Sequence, residues 1–117
     1  SVRIPIDNLG VSNTIRAAVA SWSKTMSNEL AVHGITVNSL LPGFISTDRL
    51  DVVATGFAEK AQVTKAEMED RMKNSVPAKR FGLPSEIAAV AAFLASPAAS
   101  YVNGVSLPVD GGRTGTI

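Results

Sequence analysis

The chain has 117 residues, 45% of them hydrophobic, and a formal net charge of +1. A chain of this length builds one small core, so we expect a single domain or part of one. The charges are mixed in sign, and the chain therefore has no strongly basic surface of the kind that binds nucleic acid. We expect no nucleic-acid partner.

Metal and disulfide chemistry is limited by residue usage. The sequence contains no cysteine and a single histidine, His33. This excludes disulfides, thiolate nucleophiles and metal sites built from cysteine or from several histidines. We expect no metal site and a reducing, cytoplasmic setting.

The apolar runs are too short to cross a membrane. Proline, glycine or charged residues interrupt them well before the ~18 to 20 residues that a span requires, so we expect no membrane association. The first residue is Ser1, and the opening lacks the charged-then-apolar order of a secretory signal. These features predict that the chain is a truncated or processed piece of a longer polypeptide.

Residues 12–33 are predicted to form a long helix. Apolar side chains recur at steps of three and four, the period of one helical face, at Ile15, Val19, Trp22, Met26 and Leu30. Alanines form a second face of small side chains. Gly34 follows directly, which is typical of a helix C-terminus because glycine enters the left-handed region without steric cost.

A short strand is predicted next, over residues 35–41. The run is rich in β-branched residues and is bounded by Gly34 and Pro42. Its nearly continuous apolar character suits a strand that is buried on both faces, as in a parallel sheet.

Segment 48–75 is predicted to be a charged helical hairpin, more exposed than the rest of the chain. Its first helix begins at Thr47 or Asp48. A capping box predicts the start of its second helix: the Thr64 side chain would accept from the Glu67 N–H, and the Glu67 side chain from the Thr64 N–H.

A second core helix begins at Pro84 and ends before Pro97, with a buried face at Ile87, Val90, Ala91 and Leu94. Residues 104–109 are predicted to be a last strand, after which Asp110, Gly111 and Gly112 turn the chain away. The order helix, strand, helical insert, helix, strand indicates an α/β fold with a parallel sheet. Because two parallel strands do not make a stable sheet alone, we expect the chain to complete a larger domain.

Several ordered segments carry a family resemblance: 35–47 (ITVNSLLPGFIST), 80–88 (RFGLPSEIA), 101–104 (YVNG) and 110–112 (DGG). In order and spacing they resemble the second half of the short-chain dehydrogenase/reductase domain. The resemblance implies the C-terminal part of a doubly wound Rossmann-type parallel sheet over residues 1–117, with the N-terminal dinucleotide-binding half absent. It implies NAD or NADP as cofactor, a small carbonyl or alcohol substrate, a helical substrate lid over 48–75, and a homodimer or homotetramer that packs along helix 12–33.

The resemblance assigns a nicotinamide site to the loop after the predicted strand. Pro42 and Gly43 would shape the face of the ring, while the Ile45 backbone and the Thr47 hydroxyl would bind the carboxamide. The loop ends a strand at its carboxyl edge, where open α/β sheets bind ligands, and glycine removes a Cβ that would block a flat ring. In the simpler alternative, Pro42 and Gly43 form only a turn and Thr47 only caps the next helix.

The family's catalytic pair is a tyrosine with a lysine four residues later, and the resemblance places Ser12 and Arg16 at these positions. An aliphatic hydroxyl is a far weaker acid than a phenol, and serine is shorter, so proton delivery from Ser12 would need a water in between. Arg16 keeps the positive charge for the cofactor ribose but is a poor proton relay. Cofactor binding is therefore easier to retain than acid catalysis.

Ser1 is followed by Val2, which resembles the end of the family's Ser-Ser-Val strand, and this implies that Ser1 polarises the substrate carbonyl. Alternatively, Ser1 is only where the chain starts. Asn38, Arg80 and Asp110 are predicted to be structural, holding loops to the sheet.

The sequence thus predicts an oxidoreductase that moves a hydride between a nicotinamide cofactor and a small carbonyl or alcohol. Ser1 would polarise the carbonyl, Arg16 would hold the ribose, and Ser12 with a water would replace the tyrosine. The alternative is a non-catalytic, cofactor-binding or assembly protein that retains the fold. Because the chain contains no glycine-rich dinucleotide loop, we expect residues 1–117 by themselves to be inactive.

Overall fold

The computed structural model describes residues 2–115. Its elements are α1 (Gly10–Leu30), β1 (Ser39–Pro42), α2 (Asp48–Ala61), α3 (Lys65–Asn74), α4 (Pro84–Leu94) and β2 (Ser106–Val109), with 3₁₀ turns at Ala31–His33 and Pro97–Ala99. Ser1, the predicted carbonyl-binding residue, lies outside the described residues. Within the described part of the chain, no helix combines the length and apolar content needed to span a membrane.

The two strands lie side by side and run parallel, with Ser39 opposite Ser106 and Pro42 opposite Val109. A parallel pair requires a crossover, and α2, α3 and α4 supply it. The predicted α/β fold with a parallel sheet is confirmed. Both strands reach their carboxyl ends at the same edge, which positions the loops that follow them next to each other.

Both strands are shorter than the sequence predicts. Residues 35–38 are not part of β1, and residues 104 and 105 are not part of β2. Asparagine side chains take over the backbone hydrogen bonds there: the Val37 N–H donates to Asn103 Oδ1 at 2.9 Å, and Asn38 bridges the next segment, donating to the Val102 carbonyl and accepting from the Val105 N–H. The structural role predicted for Asn38 is confirmed.

Helix α1 begins two residues before the predicted start and continues into the 3₁₀ turn that ends at His33. Gly34 follows with a φ of 72°, and its N–H donates to the Ala31 carbonyl, as the sequence predicts. The C-terminal half of α1 is attached to the rest of the fold, because Ser27 is buried and its carbonyl accepts from Asn103. The apolar stripe of α1 remains largely exposed, with Trp22 60% exposed.

The hairpin of α2 and α3 is charged, as predicted, but it is not the most exposed part of the chain. Three of its side chains are buried: Ala54, Ala58 and Met72. Small alanine side chains let the two helices approach closely. Lys65 also ties the hairpin together, at 3.1 Å from Asp51 on α2 and 3.6 Å from Glu69 on α3.

The caps of three helices match the sequence signals. Thr47 accepts from the Leu50 N–H at the start of α2, Thr64 and Glu67 form the predicted capping box of α3, and Pro84 is the first residue of α4. The prediction that α4 is a core helix is wrong in part. Ile87, Val90 and Leu94 are only half-buried and Ala91 is exposed, because the described sheet is too small to cover that face.

Arg80 and Glu86 fix the loop that leads into α4. The guanidinium donates to both carboxylate oxygens, at 2.8 and 2.7 Å, and the Leu83 N–H donates to the same carboxylate. Hydrogen bonds from Arg80 and from the Leu83 backbone lower the pKa of Glu86 to about 2. The scaffold role predicted for Arg80 is confirmed.

Candidate active site

The carboxyl edge of the sheet brings two loops into contact. The Gly43 N–H donates to the Val109 carbonyl at 3.1 Å, which continues the pairing of β1 with β2 by one residue. A Cβ on Gly43 would lie 2.7 Å from the Cα of Asp110, closer than such atoms approach. The packing of the two strand ends therefore requires glycine here. The sequence suggested a different reason, namely room for a flat ring.

A cleft of about 600 Å³ lies between α1 and β1, and its lining runs along the whole strand, from Asn38 to Phe44 at the carboxyl end. Helix α1 contributes Ser12 and Arg16 to its walls, and the end of β1 contributes Pro42 and Gly43. The structure thus brings together four of the predicted site residues, which are up to 31 positions apart in the chain. Apolar side chains of the strand, among them Leu41, line the same space.

Ser12 and Arg16 touch each other on one face of α1. The Arg16 Nε donates to the Ser12 Oγ at 3.2 Å, as residues one helical turn apart can do. The guanidinium uses one N–H for this bond, and its terminal nitrogens remain for a ligand. The Ser12 hydroxyl, which accepts from Arg16, keeps its own hydrogen for donation.

Ile45 and Thr47 lie at the start of the next helix and do not line the cleft. Ile45 pairs with Gly82 in an isolated parallel bridge and lines a separate cavity of about 120 Å³. The Thr47 hydroxyl donates to the Ile45 carbonyl at 3.3 Å and accepts from the Leu50 N–H at 3.4 Å. Thr47 therefore caps α2, and carboxamide binding by these two residues stays a prediction.

Asp110 organises the loop that follows β2. Its carboxylate accepts from the Gly112 N–H at 3.0 Å and from the Thr114 N–H at 2.8 Å. Partial burial raises the pKa of Asp110, but the hydrogen bonds from Thr114 and its neighbours outweigh that effect and lower the pKa. The structural role predicted for Asp110 is confirmed.

Sequence reasoning missed Phe44 and Arg113, which also line the cleft. The guanidinium carbon of Arg113 lies 4.1 Å from the centre of the Phe44 ring. The Phe44 ring meets Phe81 edge to face, with 6.2 Å between centroids. One signal was available: Phe44 and Arg113 each follow a strand end at the same edge of the sheet.

Acidic and histidine side chains do not converge in a way that suits a metal ion. Among residues 2–115, no group of three or more of these side chains could hold one.

Comparison with known proteins identifies the family. Residues 1–114 match the family profile described as enoyl-(acyl carrier protein) reductase. The NADPH-dependent reductase BacG of Bacillus subtilis is 41% identical over 113 residues, which are 97% of this chain and 44% of that protein. The chain belongs to the short-chain dehydrogenase/reductase family.

Other family members agree. The 3-oxoacyl-[acyl-carrier-protein] reductase FabG of Vibrio harveyi is 40% identical over 110 residues, covering 90% of this chain and 39% of that protein. The chain spans less than half the length of these curated relatives.

Solved structures of the family share the fold. An actinorhodin polyketide ketoreductase with NADPH superposes with a TM-score of 0.89 at 31% identity, covering 94% of this chain and 42% of that one. A short-chain dehydrogenase family protein from Francisella tularensis gives 0.90 at 27% identity, covering 97% and 47%. The predicted Rossmann-type fold is confirmed.

Proposed function

We propose that the polypeptide carrying this chain is an NAD(P)-dependent oxidoreductase that transfers a hydride between a nicotinamide cofactor and a small carbonyl or alcohol. One observation carries the proposal: Ser12 and Arg16, at the positions of the family's tyrosine and lysine, line one cleft with Pro42 and Gly43. The names of the relatives agree with this chemistry, since they include an NADPH-dependent reductase and a 3-oxoacyl reductase.

The cleft suits a nicotinamide nucleotide in its chemistry. It combines apolar walls from Leu41 and Pro42 with the charged donors of Arg16, which match a flat ring and ribose hydroxyls respectively. When bound, the nicotinamide supplies or accepts the hydride. Arg16 donates its terminal N–H groups to the ribose while its Nε stays bonded to Ser12.

The proton of carbonyl reduction comes from Ser12 in this proposal. Its hydroxyl donates to a water, the water donates to the developing alkoxide, and solvent replaces the proton. Ser1 polarises the carbonyl. The Ile45 backbone and the Thr47 hydroxyl bind the carboxamide, for which Thr47 must exchange its present bond to the Ile45 carbonyl.

The proposal includes the domain organisation. Residues 1–117 are the C-terminal half of the domain, 48–75 is the substrate lid, and the dinucleotide-binding half precedes them in the polypeptide. The location is cytoplasmic. Helix α1, whose Trp22 is 60% exposed and does not line the cleft, packs against a second copy in a homodimer or homotetramer. Light scattering that shows a strict monomer of the complete polypeptide at micromolar concentration would contradict the proposed homo-oligomer.

Single-turnover kinetics of the complete polypeptide test the function. Mixed with NADPH or NADH and a panel of small ketones, it is expected to bind the dinucleotide and to consume it slowly, because a serine replaces the phenol. Dinucleotide binding without turnover of any ketone or alcohol would favour the non-catalytic alternative. Absence of dinucleotide binding would contradict the oxidoreductase and the cofactor-binding alternative, and would favour an assembly protein.

A further inference from the structure

The cleft is cationic. Among residues 2–115, three arginines line it, Arg3, Arg16 and Arg113, against a single carboxylate, that of Asp110. Both oxygens of that carboxylate already accept backbone N–H groups, from Gly112 and Thr114. A cleft with this excess of positive charge attracts an anion.

The three arginines differ in what holds them. Arg3 donates from Nη2 to the Ser106 carbonyl at 2.9 Å, and Arg16 donates from Nε to Ser12. The Arg113 guanidinium lies over the face of the Phe44 ring. Within residues 2–115, the side-chain ion pairs involve neither Arg16 nor Arg113.

Stacking on Phe44 orients Arg113 without consuming its hydrogen-bond donors. A guanidinium that stacks presents its N–H groups at the edge of its plane, where two of them match the oxygens of a carboxylate or phosphate. Phe44 is itself held by its edge-to-face contact with Phe81. The Arg113 backbone is anchored as well, since its N–H donates to the Asp110 carbonyl at 3.2 Å.

We propose that Arg113 is a specificity-determining residue that binds a carboxylate or phosphate group on the carbonyl substrate. This rests on the proposed function and names its substrate class, an oxyanion-bearing ketone. Arg16 serves the cofactor ribose and Arg113 serves the substrate, because Arg113 follows β2 at the sheet edge whereas Arg16 lies on α1 beside Ser12.

Matched substrate pairs test the proposal in the complete polypeptide. Acetoacetate and levulinate are compared with their neutral amides, and dihydroxyacetone phosphate with dihydroxyacetone. In Arg113→Gln, which keeps a planar polar end without the charge, KM for the charged member is expected to rise by about tenfold or more, since a charge-assisted hydrogen bond is lost. KM for the neutral member should stay within about twofold. The pair that responds more identifies carboxylate or phosphate as the preferred group.

Two further variants sharpen the result. Arg113→Lys keeps the charge but not the planar fork, and should recover only part of the loss. Lys79→Gln removes an exposed cation of the loop before α4 that lies outside segment 48–75 and does not line the cleft, and should change neither KM. An equal rise of KM for charged and neutral ketones in Arg113→Gln, or weakened dinucleotide binding, would overturn the proposal.

A binding measurement separates this proposal from the proposed function. Benzoate and inorganic phosphate are titrated into the cofactor-free polypeptide by NMR, with benzamide as the neutral control. Anion binding that disappears in Arg113→Gln supports the anion site even if no ketone is turned over. Absence of ketone turnover would contradict only the oxidoreductase function. Anion binding that Arg113→Gln leaves unchanged, or no binding at all, overturns the proposal.

Discussion

Replacing Ser12 by Tyr together with Arg16 by Lys is expected to speed single-turnover reduction of small ketones at neutral pH by on the order of 10² to 10⁴-fold, the usual contribution of general acid catalysis. A phenol beside an ammonium is a far better proton donor than a serine hydroxyl, because its pKa starts at about 10 and falls next to the positive charge. Ser12 and Arg16 already touch at 3.2 Å on one face of α1 and line the cleft, so the new side chains would start from the right place.

The measurement is the loss of absorbance of the reduced nicotinamide, with dinucleotide affinity determined separately. Ser12→Tyr alone should gain less, because the guanidinium fits the lysine position imperfectly. A matched control uses the same spacing elsewhere on α1: Ser21→Tyr with Thr25→Lys lies away from the cleft and should leave the rate within about twofold. If the native pair already turns over quickly and the double change slows it, Ser12 and Arg16 form a working site of their own.

Features that depend on neighbouring residues were predictable from the sequence. The Thr47 cap of α2, the capping box at Thr64 and the proline start of α4 all act within one helical turn. The left-handed residue Gly34 similarly ended the first helix where expected. The family motifs added the Rossmann-type fold.

Features that depend on distant residues were not predictable. The first half of the predicted strand 35–41 does not pair with another strand. The Val37 N–H donates instead to the side chain of Asn103, which lies 66 residues further along the chain. The charges of the hairpin predict an exposed segment, while Ala54, Ala58 and Met72 within it are buried. The contact of Arg113 with Phe44 joins two loops that only the parallel pairing brings together.

The sequence motif identified Gly43 as a position that requires glycine, but the structure gives a different reason for that requirement. Its backbone conformation is not left-handed, so its lack of a side chain matters through space alone. Family resemblance assigned that space to the nicotinamide ring. In the structure, the Cα and Cβ of Asp110 occupy it, each 2.7 Å from where a Cβ would stand.

Gly43→Ala is therefore expected to destabilise the complete polypeptide by about 1 to 3 kcal/mol without any cofactor present, because an added methyl group in a packed contact forces the backbone to shift. The backbone atoms of Asp110 cannot rotate away as a flexible side chain can, and the Asp110 turn holds them through Gly112 and Thr114. Urea unfolding of the cofactor-free protein measures this as a lower transition midpoint with an unchanged slope.

Gly56→Ala is the matched control for that measurement. It adds the same methyl group in the interior of α2, where no atom lies within 4 Å, and alanine is the better helix former by roughly 0.5 to 1 kcal/mol. The two glycine replacements should consequently shift the midpoint in opposite directions. If Gly43→Ala instead keeps the urea midpoint of the unaltered protein but loses dinucleotide affinity, the strand ends tolerate the methyl group. The glycine would then serve the nicotinamide ring rather than the packing of β1 against the Asp110 turn.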